Sequence, residues 1–557
     1  MLKDGKIYAG RTEDGREIGI LPKMANRHGL IAGATGTGKT VTLKVLAESF
    51  SDLGVPVFLA DVKGDLAGMI RPGAESEDMK ERIQKFQLDG TGWQYEAYPA
   101  VFWDIYGQKG IQLRTTISEM GPLLLSRILG LNDVQSQILT VAFKIADDNS
   151  LLLIDTKDLK SMLGWLDDHR EDFRQEYGNI ASTSIAAIVR AITTLEMDGG
   201  DVFFGEPALN VGDLFALDGG KGIINILDSE SLISHPALYS TFLLWLMSEL
   251  FETLPEVGDM EKPKMVFFFD EAHLLFDDAP KNLQDKIEQV VRLIRSKGIG
   301  IYFISQNPAD IPDGILSQLG NKIQHGLRAY TPAEQKKVKA AAMAFRENPA
   351  FDTYETILNL PTAQAVVSFL DEKGTPGLSE QVAILPPQSQ MGTISDQDRD
   401  TAMKSSLLFT KYAAAVDPDS AYEFLQRKGL EEKAAADQAA KEQAAAKEQA
   451  QAEAAAAKEQ AKAEAAAAKA QAKAEADAVK AQQKAEAAAL KAQQKEAERA
   501  AKARERAVKS VANTIAGNLG REAGKAAGKN FGSFGKTMGG NVGASLARGI
   551  MSTLFKG

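Results

Sequence analysis

Cysteine is absent from this 557-residue chain, and histidine occurs only five times. A chain without thiols forms no disulfide, no thiolate zinc site and no cysteine nucleophile, and five histidines leave little room for a histidine-based metal cluster. Long apolar runs are also missing: the stretch 242–247 is far shorter than the roughly 18 residues of a membrane span. Residues 1–6 lack the apolar stretch of a signal peptide. We therefore expect a cytoplasmic protein.

Positive charge is scarce in most of the chain. The formal net charge is −11 at pH 7, but residues 431–557 contain 22 Lys/Arg against 15 Asp/Glu, which leaves residues 1–430 with 42 against 60, or −18. Affinity for nucleic acid comes mainly from neutralising phosphates, so this balance argues against a broad nucleic-acid-binding outer surface. It does not exclude basic residues that are confined to a channel.

A glycine-rich octapeptide is the most informative motif. Residues 33–40 read GATGTGKT and match the pattern G-x-x-x-x-G-K-[ST]. The apolar run 29–32 before it predicts a buried strand and residues 41–47 predict a helix, so the loop would direct backbone N–H groups and the positive end of a helix at phosphate oxygens. Lys39 would reach the β- and γ-phosphates, and the Thr40 hydroxyl would bind Mg²⁺. The predicted nucleotide-binding residues are Gly33, Ala34, Thr35, Gly36, Thr37, Gly38, Lys39, Thr40 and Val41.

An acidic motif follows an apolar strand much later in the chain. Residues 265–269 (MVFFF) predict a buried strand that leads directly into Asp270 and Glu271. Together with the glycine-rich loop, this pattern predicts that Asp270 binds Mg²⁺ beside Thr40 and that Glu271 is the general base that polarises the attacking water. Residues 301–305 predict a further strand, and Gln306 at its end is a candidate sensor of the γ-phosphate.

Three arginines are candidates for a finger that acts on the nucleotide of a neighbouring subunit. Apolar residues spaced as in a helix predict an amphipathic helix around residues 287–294, which leaves Arg292 and Arg295 on more exposed faces, and Arg328 follows the next predicted strand. Such a finger is worth about 10³–10⁵ in rate where it operates. Each arginine, taken singly, also fits an ordinary surface position, which is the commoner case.

The nucleotide base is predicted from a motif that reads guanine in other proteins. GTPases usually read guanine with the pattern N-K-x-D, and the nearest match, residues 321–324 (NKIQ), lacks the aspartate. ATP is therefore favoured over GTP.

The order of predicted elements indicates an α/β fold. Short, nearly continuous apolar strands alternate with helices after residue 26, which is typical of a mainly parallel sheet covered on both faces. The predicted organisation is a short N-terminal β region (1–25), a P-loop ATPase core (26–67 and 216–385), a mostly helical insertion (68–215) and a C-terminal extension of the core (386–430).

The composition changes abruptly after residue 430 to alanine, lysine, glutamate and glutamine. Residues 451–494 contain 11-residue repeats of strong helix formers, so we predict a single long polar helix over residues 431–510. A solvated spacer is favoured over a weak alanine-packed coiled coil. Residues 511–557 predict a Gly-zipper-like amphipathic tail, since glycine recurs every three or four residues from 520 to 543. Such a ridge fits a contact with another backbone or a peripheral membrane surface, and a flexible tail is the alternative.

Several short motifs resemble the HerA–FtsK superfamily, and more closely the bacterial HerA-like ATPases. Besides the glycine-rich loop, they are residues 26–29 (NRHG), 61–65 (DVKGD), 270–273 (DEAH) and 304–308 (ISQNP). The resemblance covers about residues 1–430 and implies a RecA-like core with an additional strand, a helical insertion between the two nucleotide motifs, and hexameric rings that use arginines between subunits. It suggests DNA translocation by analogy only. The N-terminal β region is shorter than the barrel of archaeal HerA proteins, and the alanine- and glycine-rich tail lies outside the shared motifs.

Three hypotheses of function follow. The first is a homo-oligomeric ATPase that uses ATP and Mg²⁺ and moves DNA as a helicase-like translocase. The second is an ATPase that remodels a protein or membrane-associated assembly through the tail, which the acidic body favours. The third is a nucleotide-gated scaffold without DNA activity, which loses ground because Lys39, Asp270 and Glu271 are all present. DNA, and a protein or membrane contact of the tail, therefore stay open as partners.

Overall fold

The computed structural model describes residues 1–258, 260–276 and 281–486. Contacts divide the chain into two compact units, Met1–Ala434 and Ala435–Gly557. The strands of the described residues are β1 (Leu2–Lys3), β2 (Lys6–Arg11), β3 (Glu17–Ile20), β4 (Gly29–Ala32), β5 (Val57–Asp61), β6 (Ala100–Asp104), β7 (Ile111–Gln112), β8 (Leu217–Asp218), β9 (Lys221–Gly222), β10 (Ile224–Asp228), β11 (Met265–Phe269), β12 (Ile299–Ser305), β13 (Asn321–His325), β14 (Gln364–Ser368) and β15 (Glu380–Ile384).

The α-helices surround these strands. In chain order they are α1 (Lys39–Asp52), α2 (Glu77–Phe86), α3 (Ile117–Ile128), α4 (Asp133–Asp148), α5 (Thr156–Asp168), α6 (Arg170–Tyr177), α7 (Ser182–Leu195), α8 (Asp201–Phe203), α9 (Pro236–Thr253), α10 (Lys281–Ile294), α11 (Asp313–Leu316), α12 (Pro332–Met343), α13 (Thr353–Asn359), α14 (Asp396–Ser405), α15 (Leu407–Tyr412) and α16 (Ala421–Glu486).

One large sheet organises the first unit, and within the described residues 13 strands join it. The order β13-β4-β12-β11-β5-β10-β6-β7 is parallel throughout, and β14, β15 and the N-terminal strands add an antiparallel edge. Strand β12 lies between β4, which leads into the glycine-rich loop, and β11, which leads into the acidic motif. This intervening strand is the additional strand of a RecA-like core, so the predicted α/β fold class is confirmed.

The sheet is buried on both faces, as the apolar strands predict. Along β11, Phe267 and Phe269 pack into the cluster that contains the insertion helices and α9, whereas Val266 and Phe268 pack into the cluster on the α1 side, together with Phe50. Alternate side chains of one strand therefore serve two separate cores. A strand with two covered faces needs apolar residues at every position, which explains the uninterrupted MVFFF sequence.

The segment 68–215 contains more than helices. Its helices α2–α8 are joined by β6 and β7, and β6 pairs in parallel with β10, so these strands continue the central sheet. The sequence prediction of a mostly helical insertion did not include them. A run as short as residues 100–104 cannot be assigned to strand or buried helix from periodicity alone, and its sheet partner lies more than 100 residues further along the chain.

The N-terminal strands belong to the same sheet. Strands β2 and β3 form an antiparallel hairpin, and β2 also pairs with β15. The predicted N-terminal β region therefore extends the antiparallel edge of the core.

The long helix α16 runs from Ala421 to Glu486. Residues 430–486 contain no glycine or proline and are rich in alanine, which favours a continuous helix. The rest of the predicted helix, residues 487–510, and the predicted Gly-zipper-like tail, residues 511–557, lie outside the described residues.

No single helix of the described residues is long and apolar enough to cross a membrane. The pair Arg170–Tyr177 and Ser182–Phe203 reaches that length and apolarity only when taken together, and it is bent by 103°.

Candidate nucleotide-binding and hydrolysis site

The glycine-rich loop connects the end of β4 to the first residue of α1. Gly36 and Gly38 adopt φ angles of 77° and 115°, a region that side chains other than glycine rarely enter. Gly33 is required for a different reason, because a Cβ atom there would lie 2.4 Å from the Cβ of His325. The glycines therefore permit a tight loop that leaves the N-terminus of α1 open, which is the arrangement that binds phosphate.

The Lys39 side chain folds back over this loop. Its ammonium donates hydrogen bonds to the carbonyl oxygens of Gly33 at 2.6 Å and Ala34 at 3.3 Å. The side chain is buried, and this burial lowers the pKa of Lys39, while the charges of Glu271 and Asp270 act in the opposite direction. The lysine of the first motif and the two carboxylates of the second thus lie within electrostatic reach of one another.

The other predicted binding residues occupy the loop and the start of α1. Thr35 is exposed at the loop tip, while Thr37 is buried and donates from its hydroxyl to the carbonyl of Ala34 at 2.7 Å. Thr40 and Val41 are half-buried in the first turn of α1. The Thr40 hydroxyl makes no hydrogen bond with any residue that the structure describes, so it is available to a ligand.

A buried histidine links the start of helix α1, directly after the loop, to a neighbouring strand. His325, the last residue of β13, bonds through Nε2 to the Thr42 hydroxyl at 2.8 Å and through Nδ1 to the Gln364 carbonyl at 2.9 Å. Burial lowers its pKa to about 4, so the ring is neutral at neutral pH: Nδ1–H donates to the carbonyl and Nε2 accepts from Thr42. The amide of Ala363 also donates to the carbonyl of Thr37 at 2.9 Å. These contacts fix the loop to the strands beside it.

Asp270 follows β11 and is almost fully buried. Burial raises its pKa to about 6, with the charge of Lys63 acting against this and that of Glu271 adding to it. Among the residues that the structure describes, Asp270 forms no ion pair. Asp270 and Thr40 follow β11 and β4, and both strands pair in parallel with β12, so they lie at the same edge of the sheet. A buried carboxylate and a hydroxyl are oxygen ligands that suit a hard cation, so Thr40 and Asp270 fit Mg²⁺.

No metal site in the described segments is built from protein ligands alone, since no three carboxylates or imidazoles come together there.

Glu271 lies next to Asp270 in a left-handed backbone conformation, with φ 46° and ψ 48°. Its Oε1 pairs with the Lys63 ammonium at 2.6 Å, and its Oε2 accepts from the Gln306 amide at 3.4 Å. Burial alone would raise the pKa of Glu271, but Lys63 and Gln306 outweigh it and hold the pKa below its usual value. The structure therefore brings the predicted base and the predicted sensor into direct contact.

The three candidate arginines lie elsewhere. Arg292 pairs with Glu288 on the same helix at 2.6 Å, and Arg295 is exposed on the turn that follows α10. The Arg328 guanidinium donates to the carbonyls of Leu358 and Leu360 at 2.8 and 3.3 Å. A role in a neighbouring subunit stays a prediction for all three.

Two residues of this site were not predicted from the sequence. Lys63 belongs to a motif that carried the family resemblance but had no assigned role, and its contact with Glu271 joins residues 208 positions apart. His325 meets Thr42 across 283 positions. The only sequence signal was their position: Lys63 follows the predicted strand 55–60, and His325 lies inside the predicted strand 322–327, near its carboxyl end.

Comparison with known proteins agrees with this arrangement. The protein family described as Helicase HerA-like C-terminal matches residues 6–556. The DNA double-strand break repair helicase HerA of Sulfolobus acidocaldarius is 22% identical over 369 residues, which cover 66% of this chain and 66% of that protein. The probable helicase MJECL08 of Methanocaldococcus jannaschii is 29% identical over 154 residues, which cover 26% of this chain and 28% of that protein. The chain thus spans about two thirds of the length of the Sulfolobus HerA protein and about a quarter of the length of MJECL08.

Among solved structures, the unbound bacterial conjugative coupling protein TrwB is similar, with 14% sequence identity and a TM-score of 0.47. That match covers 70% of this chain and 92% of TrwB. Because the family match extends over nearly the whole chain, and because the glycine-rich loop and the acidic motif meet at one edge of the sheet, this chain belongs to the Helicase HerA-like C-terminal family and is a P-loop NTPase.

Proposed function

We propose that this chain binds ATP with Mg²⁺, hydrolyses it, and works as a homo-oligomeric ring motor that moves on DNA. One observation carries the proposal: β12 pairs in parallel with both β4 and β11, so the loop with Lys39 and the acidic motif with Asp270 and Glu271 follow strand ends at one edge of the sheet. A triphosphate seated on the loop would therefore have a cation on one side and the acidic motif on the other. This is the arrangement that phosphoryl transfer needs.

Each residue then has a defined part. Lys39 exchanges the carbonyls of Gly33 and Ala34 for phosphate oxygens, and Thr40 and Asp270 hold the metal. Mg²⁺ held by Thr40 and Asp270 would neutralise charge on the β- and γ-phosphates. Glu271 accepts the proton of the attacking water.

DNA is proposed as the track because of the proteins that this chain resembles. The family is described as helicase-like, and one relative is named as a DNA double-strand break repair helicase. A hexameric ring, with an arginine from the adjacent subunit, is part of the same proposal. The net charge of −18 in residues 1–430 supports the second candidate, an ATPase that remodels a protein or membrane-associated assembly.

The test is ATP turnover by the full chain with and without duplex DNA. We expect Lys39→Ala to abolish turnover and weaken nucleotide binding, because the ammonium that contacts phosphate is gone. We expect Glu271→Gln to bind ATP and retain it unhydrolysed. Glu230→Gln is the matched control, because Glu230 lies in the loop after β10 at the same edge of the sheet and pairs with Lys109. Its turnover should equal that of the unmodified chain.

The outcomes separate the candidates. Turnover that duplex DNA accelerates supports the motor, whereas turnover that is indifferent to DNA supports the remodelling ATPase. Bound ATP that is never hydrolysed by the assembled chain would refute both and leave the nucleotide-gated scaffold.

A further inference from the structure

Both oxygens of the Glu271 carboxylate are engaged. The Lys63 ammonium lies 2.6 Å from Oε1, the Gln306 amide lies 3.4 Å from Oε2, and the His273 ring lies 3.5 Å from the same Oε2. A general base must present an oxygen to the proton that it removes. In this geometry, the oxygen with the shortest contact, Oε1, is paired with a lysine.

The pairing therefore opposes hydrolysis by its geometry. The Lys63 ammonium occupies Oε1, an oxygen that a proton of the attacking water would have to reach, and Oε2 already accepts from the Gln306 amide.

Lys63 is the half of the pair that is able to move. Its backbone is fixed, because the Asp61 carboxylate accepts from the amides of Lys63, Gly64 and Leu66 at 3.2, 2.8 and 3.0 Å. Its side chain, however, is 44% exposed, whereas that of Glu271 is 8% exposed. A flexible lysine side chain with access to water can leave the carboxylate without any change in the loop that carries it.

We propose that Lys63 is a positioning residue that holds Glu271 in a resting state, and that ATP hydrolysis requires this ion pair to open. The inference rests on the proposed function and adds a means of regulating hydrolysis at the same site. The exposed ammonium can be drawn away by an anion that reaches the loop after β5. Basal turnover is then slow because most molecules hold the pair closed.

The proposal predicts a gain of activity. In the full chain and without DNA, Lys63→Met should raise kcat for ATP about fivefold. An ion pair with one exposed partner shifts the equilibrium between its closed and open states by about that factor. KM should stay unchanged, because the phosphate-binding loop is untouched. Lys63→Arg, which retains the charge, should stay near the unmodified rate.

A matched control removes another paired lysine at the same edge of the sheet. Lys109 is 43% exposed and pairs with Glu230, so Lys109→Met should leave basal turnover unchanged. The gain should also vanish in the double variant Lys63→Met with Glu271→Gln, because the released base is then absent. A purely structural role for Lys63 predicts a loss of activity instead of a gain.

The outcomes are distinguishable. Lys63→Met with equal or lower turnover, at unchanged melting temperature and ATP affinity, overturns the inference and leaves the proposed function intact. Should Lys63→Met not fold, Lys63→Gln, which removes the charge but keeps a polar side chain, carries the same expectation. Hydrolysis by the Lys63 variants but not by the unmodified chain supports the closed resting state. Absence of hydrolysis in every variant, with ATP bound, overturns the proposed function itself.

Discussion

Glu271, the candidate general base, has a strained backbone conformation. Its φ of 46° lies in a region that costs a residue other than glycine about 1–3 kcal/mol. Burial of the side chain and the contact with Lys63 hold it there. Strain of this kind persists where the surrounding structure fixes the conformation, and it is concentrated at functional sites. The candidate general base is thus presented by a backbone conformation that stability alone would not select.

The buried His28 predicts that the stability of the folded chain depends on pH. The ring is buried, its Nδ1 accepts from the Ile301 amide at 3.0 Å, and burial lowers its pKa to about 4. A histidine in the unfolded chain titrates near 6.5, so between pH 6.5 and 4 the unfolded state binds a proton that the folded state does not. The stability contributed by this residue is therefore complete above pH 6.5 and is lost as the pH falls toward 4.

Replacing His28 by asparagine removes this titration while keeping a hydrogen-bond acceptor, and asparagine tolerates the φ of 54° at this position. We expect the stability difference between the unmodified chain and His28→Asn to narrow by about 1.4 kcal/mol between pH 8 and pH 5.5. Urea unfolding at the two pH values measures it. A difference that stays constant with pH would contradict the assignment.

The residues that were predicted and those that were missed differ in one physical respect. Lys39, Asp270 and Gln306 each follow a strand whose sequence is recognisable locally, and parallel strands bring their carboxyl ends to one edge, so their proximity follows from the fold class. Lys63 and His325 gain their roles only from which strands are neighbours. That order depends on pairings between distant segments, which a single sequence does not specify.

At the scale of elements, helix α1 is held at both ends. Its first turn carries the phosphate-binding loop. Near its other end, the buried Glu48 carboxylate accepts from the amides of Gln388 and Ser389 at 2.9 and 3.0 Å, and from the Ser389 hydroxyl at 2.5 Å. The Lys44 ammonium donates to the Gln390 carbonyl at 2.5 Å. The segment 388–390 after β15 is thereby fixed across the helix that presents the loop.

This anchoring predicts a large effect of a single substitution. Glu48→Ala leaves two buried amides and a hydroxyl without their acceptor, and we expect a loss of about 3 kcal/mol in the free energy of unfolding. Glu81 on α2 is exposed, so Glu81→Ala is the control and should change that free energy by less than about 0.5 kcal/mol. Urea unfolding of both variants checks the difference, and equal losses would contradict the anchoring role of Glu48.

The elements themselves were predictable to different degrees. The strand of residues 265–269 and the helix after the glycine-rich loop carry continuous apolar runs or strong motif context, and both were predicted. Strand β6 was missed because its five residues lie among helices and its partner β10 follows the whole insertion. The buried Glu48 had no sequence signal, since a glutamate inside an amphipathic helix is ordinarily exposed.

At the scale of the whole molecule, the buried core and the net charge are distributed unequally between the two units. Contacts separate Met1–Ala434 from Ala435–Gly557. Among the described residues, the buried apolar core ends at Leu425, and every residue from 429 to 478 is exposed. Residues 435–557 contain 21 Lys/Arg and 13 Asp/Glu, whereas residues 1–434 contain 43 and 62. The first unit therefore holds the described core and carries a net charge of −19, and the second carries +8.

Deletion of residues 435–557 tests this division. No residue of the described core is lost, so the melting temperature of the shortened chain should stay within about 2 °C of that of the full chain, a shift that corresponds to about 2 kcal/mol in a unit of this length. Binding to duplex DNA should weaken and its dependence on salt should become shallower, because fewer phosphates are then neutralised. Thermal unfolding and titrations of labelled DNA at 50 and 200 mM salt measure the two effects separately. A melting temperature that falls by 5 °C or more would show that the second unit stabilises the first, and an unchanged salt slope would place the DNA contacts within residues 1–434.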